Sequence, residues 1–204
     1  MSAATDLLRP GLLEDTSVLM AGTTEPVVPL GTAVGEACKE LGADVHTCAP
    51  DAVDEAAVDQ MVTAAITEAG SLDLLVVDGA GLFVQGGLRN CLDATWNITR
   101  AVVNVAFLAA GPSLSSRAGP GLPTGRIIYL APAPDAGKFA GAACAGLENL
   151  ARTLSTEWAR HGITLVTIAP GDKTDAGEVA ALCAYLASPA GAYFSGCLLD
   201  LRGP

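Results

Sequence analysis

The chain of 204 residues carries 22 acidic and 11 basic side chains, a formal net charge of −11 at pH 7. This acidity argues against nucleic acid or an anionic membrane as the main partner, and its simplest use is solubility. Half of the residues are hydrophobic and only 4% are aromatic, which predicts one domain with a core built largely from small side chains.

Neither a signal peptide nor a transmembrane helix is predicted. The sequence begins without a basic segment followed by an apolar run, and no apolar stretch approaches about 18 residues. We therefore expect a cytoplasmic protein. Six cysteines are present, none at a spacing typical of a metal site: Cys38, Cys48, Cys91, Cys144, Cys183 and Cys197. Free thiols and no bound metal are expected.

Strands and helices are predicted to alternate from about residue 15, after an N-terminal extension at 1–14. Short apolar runs bounded by turn residues predict strands at 16–22, 43–49, 72–81, 125–132, 162–171 and 196–201. Helical spacing of apolar residues predicts a helix at 31–41, one capped by Asp51 or Asp54, one marked by Leu92, Trp96, Val103 and Phe107, and two at 140–160 and 177–187.

This alternation predicts the fold class. The loop at 111–125 is expected to be irregular, and no repeat or long linker divides the chain. We predict a single doubly wound, Rossmann-like α/β domain over 1–204, with a mostly parallel sheet of six or seven strands.

Three segments resemble the short-chain dehydrogenases/reductases. "LENLARTLSTEWARHGITLVTIAPG" (147–171) is similar to the family's catalytic-helix-to-strand segment, and "SLDLLVVDGAG" (71–81) to its Asn-Asn-Ala-Gly strand. "EVAALCAYLASPAGAYFSGCLLDLRG" (178–203) is similar to the C-terminal segment. The resemblance runs with interruptions from about residue 15 to 203 and implies a trimmed form of that family's fold. Function does not follow from the fold, so each working part is compared at its own position.

The resemblance implies that the catalytic residues are replaced. In the family a Tyr-x-x-x-Lys pair opens the catalytic helix and a Ser ends the preceding strand. Here Ala140 falls at the Tyr position, Cys144 at the Lys position, and the strand ends in Ala131-Pro132. Asn104 falls near the fourth catalytic position and is either a remnant or an ordinary polar residue on a half-exposed helix. No proton-transfer set is expected.

Relocated chemistry would keep the chain an enzyme. A nucleophilic Cys144 needs a nearby base or positive charge. The two histidines are expected elsewhere, His46 in a strand and His161 as a helix cap. The residues that could serve relocated chemistry are Asn104, Cys144, Asp78 and Lys138.

The glycine-rich cofactor turn of the family is also altered. Gly22 and Gly31 match its outer glycines, but extra residues separate them. Pro26 and Pro29 each remove an N–H donor for pyrophosphate, and Glu25 adds a negative charge there.

Other cofactor-site positions are remnants. Asp51 matches the family's adenine-contacting Asp but also suits a helix cap. Gly81 keeps the closing Gly of Asn-Asn-Ala-Gly, whereas Asp78 and Gly79 replace the asparagines. A helix and a strand of the adenosine-side crossover are expected to be missing. We therefore expect no NAD or NADP on this chain.

The substrate lid of the family is expected to be absent as well. After Pro170-Gly171 the family inserts a mobile lobe, but this chain continues directly into its last predicted helix. Little would then exclude water from reacting groups.

The resemblance implies that the surfaces through which family members associate are retained. Family members pair through two long helices beside the active site, and through the C-terminal strand with its preceding helix. Predicted interface residues on 140–160 are Gly141, Ala142, Ala145, Gly146, Asn149, Thr153 and Trp158. The resemblance implies a non-catalytic subunit in a hetero-oligomer, expected to be a tetramer, with an active paralogue that binds NAD or NADP. A stand-alone small-ligand-binding or regulatory module and an oxidoreductase with relocated chemistry are the alternatives.

Overall fold

The computed structural model describes residues 8–22, 29–49, 54–109 and 123–203. In these residues six strands form one sheet with the order β2-β1-β3-β4-β5-β6, and each neighbouring pair is parallel. The strands are β1 Ser17–Ala21, β2 Asp44–Cys48, β3 Leu74–Val77, β4 Gly125–Leu130, β5 Ile163–Pro170 and β6 Cys197–Leu201. The predicted parallel sheet is confirmed, with six strands.

In the described ranges, five α-helices cover the two faces of this sheet. They are α1 Pro29–Glu40, α2 Glu55–Ala69, α3 Gly79–Val102, α4 Ala140–Trp158 and α5 Ala176–Ala187. Helices α1 and α5 pack together on one face, while α2, α3 and α4 pack side by side on the other. This is the doubly wound arrangement that the alternation predicts.

The sheet is buried on both faces, as continuous apolar runs predict for parallel strands. In β1, Leu19 faces the layer of α2, α3 and α4, whereas Val18 and Met20 face α1 and α5. In β3, Leu75 faces the layer of α2, α3 and α4, and Leu74 faces α1 and α5. Alternate side chains of each strand therefore build two separate apolar cores.

The predicted strand 72–81 is too long. The strand ends at Val77, and the small residues that follow it begin α3. A Cβ atom on Gly79 would lie 2.8 Å from the backbone oxygen of Leu130. Only glycine permits this close approach to the neighbouring strand. The apolar run 72–81 is thus divided between β3 and the first turn of α3.

Helix α3 is longer than the helix predicted from Leu92 to Phe107. It begins at Gly79 and contains non-helical backbone at Gly86 and Gly87. After Val102 it continues as a π-helical turn, Val103–Leu108. Glycine lacks the Cβ that restricts the backbone, which explains why the distortion falls at this pair.

The predicted cap of α2 is resolved in favour of Asp54, whose side chain accepts a hydrogen bond from the N–H of Ala56 at 3.0 Å. Asp51, the alternative cap, lies outside the described residues, as does most of the loop predicted at 111–125. The predicted end of the helix at Gly70 is also found, with φ of 72°.

The segment before β1 packs on the domain where it is described. Leu13, part of the predicted extension 1–14, is fully buried, and its N–H donates to the carbonyl of Leu41 at 3.0 Å. Within the described ranges, none of the helices combines the length and the hydropathy that a membrane crossing requires.

Candidate functional site

The carboxyl edge of the sheet, where the strand order reverses, is the candidate site. From β1 the chain crosses to β2 on one side, while β3 pairs with β1 on the other side. Open α/β sheets bind ligands outside the carboxyl ends of the strands at such a switch point. In this chain those ends are Gly22, after β1, and Asp78, after β3.

Asp78 is the central side chain of this switch point. It is 5% exposed, and its Oδ1 atom accepts a hydrogen bond from the N–H of Gly81 at 2.9 Å, which caps α3. A Cβ atom on Gly22 would lie 2.8 Å from the Cβ of Asp78, and one on Gly31 would lie 2.6 Å from its Oδ2. The three glycines expected as cofactor-site remnants, two from the glycine-rich turn and Gly81 from the Asn-Asn-Ala-Gly position, therefore all adjoin the side chain of Asp78.

The switch point carries a negative charge at neutral pH, that of Asp78. Burial raises the pKa of Asp78 to about 6, although the hydrogen bond from Gly81 acts in the opposite direction. Burial, together with the charges of Asp78 and Cys144, raises the pKa of the Cys91 thiol to about 12. At pH 7 the switch point thus holds a mostly ionised carboxylate beside a neutral thiol.

The positions that the resemblance assigns to the catalytic set contribute to the core. Ala131 and Pro132 are buried where β4 ends. Ala140 is 1% exposed and Cys144 is 5% exposed, and both belong to the core beneath α4. These four side chains pack within the fold and carry no group that transfers a proton at neutral pH.

Cys144 lacks the surroundings of a nucleophile. Burial raises the pKa of its thiol; Arg202 opposes this shift, and Glu148 and Asp200 add to it. A reactive cysteine needs the reverse, a lowered pKa that provides thiolate at neutral pH.

Neither histidine provides a base for that thiol. His46 lies on the edge strand β2, with its Nε2 atom 3.1 Å from Oδ2 of Asp44. His161 is exposed after α4, where its Nε2 accepts a hydrogen bond from Nε of Arg160 at 3.0 Å. Helix α4, which carries Cys144, packs against β5 rather than the β2 edge.

The four residues suggested for relocated chemistry are divided between the interior and the surface. Asp78 and Cys144 are buried, and both contribute to the raised pKa of Cys91. Asn104 is exposed in the π-helical turn, and Lys138 is exposed, with its Nζ 4.8 Å from the ring centroid of Phe139. Of the four, the two buried groups share Cys91 as a neighbour, whereas Asn104 and Lys138 lie at the surface.

Phe139 is a feature that sequence reasoning missed. It precedes α4 with left-handed backbone, φ 74° and ψ 8°, and its side chain is 56% exposed. A bulky residue in this region is a backbone outlier. The neighbouring Gly137, also at positive φ, is the one sequence signal of an irregular approach to the helix.

Five of the predicted interface residues lie on the outer surface of α4. Gly141, Ala145, Asn149 and Thr153 are exposed and follow one another at four-residue spacing, with Ala142 exposed beside them. Residues four apart share one helix face. We call these five residues the α4 stripe. A Cβ atom on Gly141 would meet nothing within 4 Å, so this part of the stripe is open.

Gly146 and Trp158, also predicted at the interface, have contacts inside the chain. A Cβ atom on Gly146 would lie 2.8 Å from Cδ2 of Leu92 in α3. Trp158 is partly buried and packs against the core beneath α4. Their positions are explained by packing within the domain.

A second apolar surface lies at the end of the chain. Tyr185 of α5 and Phe194 are exposed and meet edge to face, with ring centroids 6.2 Å apart. Tyr193, beside them in sequence, is 93% exposed. The edge strand β6 adds partly exposed leucines. We call Tyr185, Tyr193, Phe194 and β6 the C-terminal patch.

The connection after β5 is short. Residues 171–175 join β5 to α5, and the N–H of Gly171 donates to Oγ1 of Thr174 at 2.7 Å. Asp175 then caps α5 in a reciprocal pair with Glu178. No lobe is inserted at this fully described point.

Within the described ranges, no three His, Cys, Asp or Glu side chains are grouped as metal ligands. All six cysteines are free thiols; five are buried and Cys197 is partly exposed.

Comparison with known proteins gives the family. The short chain dehydrogenase family model matches residues 15–179. Over 129 residues the chain is 34% identical to the (2S)-[(R)-hydroxy(phenyl)methyl]succinyl-CoA dehydrogenase subunit BbsD of Thauera aromatica. That match covers 59% of this chain and 50% of BbsD, so the chain spans about half the length of this curated relative.

Solved structures give the same fold. A short chain dehydrogenase from Mycobacterium smegmatis superposes with a TM-score of 0.74 at 21% identity, covering 95% of each chain. The hydroxysteroid dehydrogenase from Escherichia coli superposes with a TM-score of 0.71 at 16% identity, covering 95% of this chain and 98% of its own. The chain belongs to the short-chain dehydrogenase family.

Proposed function

We propose that this chain is a non-catalytic subunit that assembles with an active short-chain dehydrogenase/reductase paralogue in a hetero-oligomeric oxidoreductase, expected to be a tetramer. The partner supplies the Ser-Tyr-Lys set, the substrate lid and NAD or NADP. The observation that carries the proposal is the burial of Ala140 and Cys144 in the core at the positions matching the family's Tyr and Lys.

The cofactor site supports the same proposal. Asp78 adjoins Gly22, Gly31 and Gly81, where the family would bind a dinucleotide. A buried carboxylate disfavours a pyrophosphate at this position, because like charges repel strongly away from water. This chain therefore carries no nicotinamide cofactor of its own.

Two exposed surfaces support assembly. The α4 stripe offers small side chains at which a second helix can approach closely. The C-terminal patch adds exposed aromatic rings, which are enriched at protein interfaces. The partner we propose for them is the active paralogue. BbsD is itself named as a subunit of a dehydrogenase, which favours an assembly of more than one chain.

Affinity capture of the tagged chain from its native host, followed by peptide identification, tests the proposal. We expect a second short-chain dehydrogenase/reductase that contains an intact Tyr-x-x-x-Lys pair. Capture of the chain alone contradicts the assembly. Nicotinamide-dependent turnover by the purified lone chain would instead establish relocated chemistry. Tight binding of a small ligand without a partner would establish a stand-alone module.

A further inference from the structure

We propose that Asp78 is a specificity-determining residue that excludes phosphate-bearing ligands from the switch point of this chain. The inference deepens the proposed function and rests on it, since it assigns the loss of dinucleotide binding to one charge. It concerns the described end of β3 and the described starts of α1 and α3, where a phosphate group would meet this carboxylate.

The position of the carboxyl group is fixed from three directions. Gly22 follows β1, and Gly31 lies in the first turn of α1; a Cβ atom on either would come within 2.8 Å of Asp78. Gly81, in the first turn of α3, donates its N–H to Oδ1 at 2.9 Å. The carboxyl group thus lies between the amino ends of two helices at the switch point, the position where phosphate groups bind in such folds.

The negative charge of Asp78 is more than the cap requires. Asparagine caps helices about as well as aspartate, because its side-chain oxygen accepts the same hydrogen bond. Asparagine would also avoid the penalty for burying an ionised group, which is reflected in the raised pKa of Asp78. What aspartate adds to the fold is therefore a buried negative charge, and a phosphate placed beside it is repelled.

The experiment compares D78N with the wild-type full chain. Equilibrium binding of ADP-ribose and of adenosine is measured by calorimetry at pH 7.5, a value set about 1.5 units above the pKa of Asp78 so that the wild-type group is ionised. ADP-ribose carries the pyrophosphate of a dinucleotide, and adenosine carries no phosphate. The substitution keeps the shape of the side chain and removes its charge.

We expect D78N to bind ADP-ribose at least about tenfold more tightly than the wild type, with adenosine binding unchanged. The matched control is D175N, which makes the same replacement at an exposed helix cap, that of α5, and should leave ADP-ribose binding as in the wild type. Thermal unfolding of all three proteins establishes that they are folded.

Two outcomes overturn the inference. If D78N is folded and binds ADP-ribose no more tightly than the wild type, charge at Asp78 does not exclude phosphate. If adenosine binding rises by the same factor, D78N opens space rather than removing repulsion. Either outcome removes the support that the Asp78 charge gives to the proposed function but leaves the observation that carries it, the burial of Ala140 and Cys144. The proposed function fails separately if the wild-type chain binds NADH or NADPH with micromolar affinity.

Discussion

Gly146 of α4 lies directly against Leu92 of α3, since a Cβ atom on Gly146 would come within 2.8 Å of Cδ2 of Leu92. Five residues earlier on the same helix, a Cβ atom on Gly141 would meet nothing within 4 Å. The small residues of α4 therefore have two separate roles. Gly146 allows α3 and α4 to pack closely within the chain, and Gly141 leaves the outer face of the helix open.

This difference predicts unequal effects of one substitution at two sites. We expect G146V to be less stable to unfolding than G141V by about 1–3 kcal/mol, because valine overpacks the contact with Leu92. The same replacement is made twice in one helix, at Gly141 in the first turn of α4 and at Gly146 in its interior. Urea denaturation of the two variants measures the difference. Equal stability would mean that α3 and α4 accommodate valine at position 146 without a loss in the free energy of unfolding.

The backbone of Phe139 predicts a stabilising change. We expect F139G to be more stable than F139A by about 1 kcal/mol, because glycine adopts the left-handed conformation that strains residues with a Cβ. Both variants lose the ring and its contact with Lys138, so the comparison isolates the backbone. Thermal denaturation measures the difference, and an F139A variant as stable as F139G would show that this conformation is unstrained.

Asp78 predicts a specific pH dependence of stability. Burial raises its pKa in the folded chain from 3.8 to about 6, so between these values the folded state binds more protons than the unfolded state. The free energy of unfolding should therefore fall as the pH rises through this window, by at most about 3 kcal/mol. The neighbouring Cys91 stays a neutral thiol throughout, because its pKa is raised to about 12.

The measurement is urea denaturation of the wild type and D78N from pH 4 to pH 7. The difference between the two curves isolates Asp78 from other groups, including Asp200, whose pKa is lowered to about 2 chiefly by its hydrogen bond with Arg202. We expect D78N to gain stability relative to the wild type as the pH rises. Parallel curves would show that the Asp78 pKa is the same in the folded and unfolded states.

The sequence predicts most of the fold because its signals are local. Apolar runs such as 162–171 locate buried strands, as the structure confirms. Of the two caps predicted for α2, Asp51 or Asp54, the structure shows Asp54 at the helix start. The division of 72–81 between β3 and α3 is not local, since it depends on Gly79 approaching Leu130 of the next strand. An apolar run alone cannot distinguish one long strand from a strand followed by a buried helix.

The candidate site was less predictable for the same reason. Resemblance singled out Gly22, Gly31 and Gly81, but only the three-dimensional structure places all of them around Asp78. The left-handed backbone of Phe139 has no sequence signature, because bulky residues rarely adopt it. Long-range contacts and strained backbone are the features that periodicity does not encode.

Restoring the two catalytic-helix residues should not create an enzyme. We expect A140Y/C144K alone to show no NAD- or NADP-dependent turnover, because a subunit of the proposed kind would still lack the serine, the cofactor cradle and the lid, and such groups act as a unit. Both substitutions also place large side chains at buried positions, so a decreased melting temperature is expected. Turnover by the folded double variant would show that the chain retains a working cofactor site.

The α4 stripe predicts a loss of assembly from one exposed substitution. Ala145 is exposed in this chain, so A145R should fold normally. In the proposed assembly with an active paralogue, it would bury an unpaired charge and separate the subunits. The apparent mass of the assembly in size-exclusion chromatography and the partner's dehydrogenase activity should both decrease. A64R, the same change on the exposed face of α2, is the matched control, and equal behaviour of the two variants would locate the interface elsewhere.

Native mass spectrometry of the assembly captured from the host, with saturating NADH or NADPH, tests the central claim most directly. One spectrum gives both the subunit composition and the number of bound cofactors. We predict a mixed assembly in which the number of cofactors equals the number of active paralogue subunits, with none on this chain. A cofactor count that includes this chain, or an assembly made of this chain alone, would contradict the account.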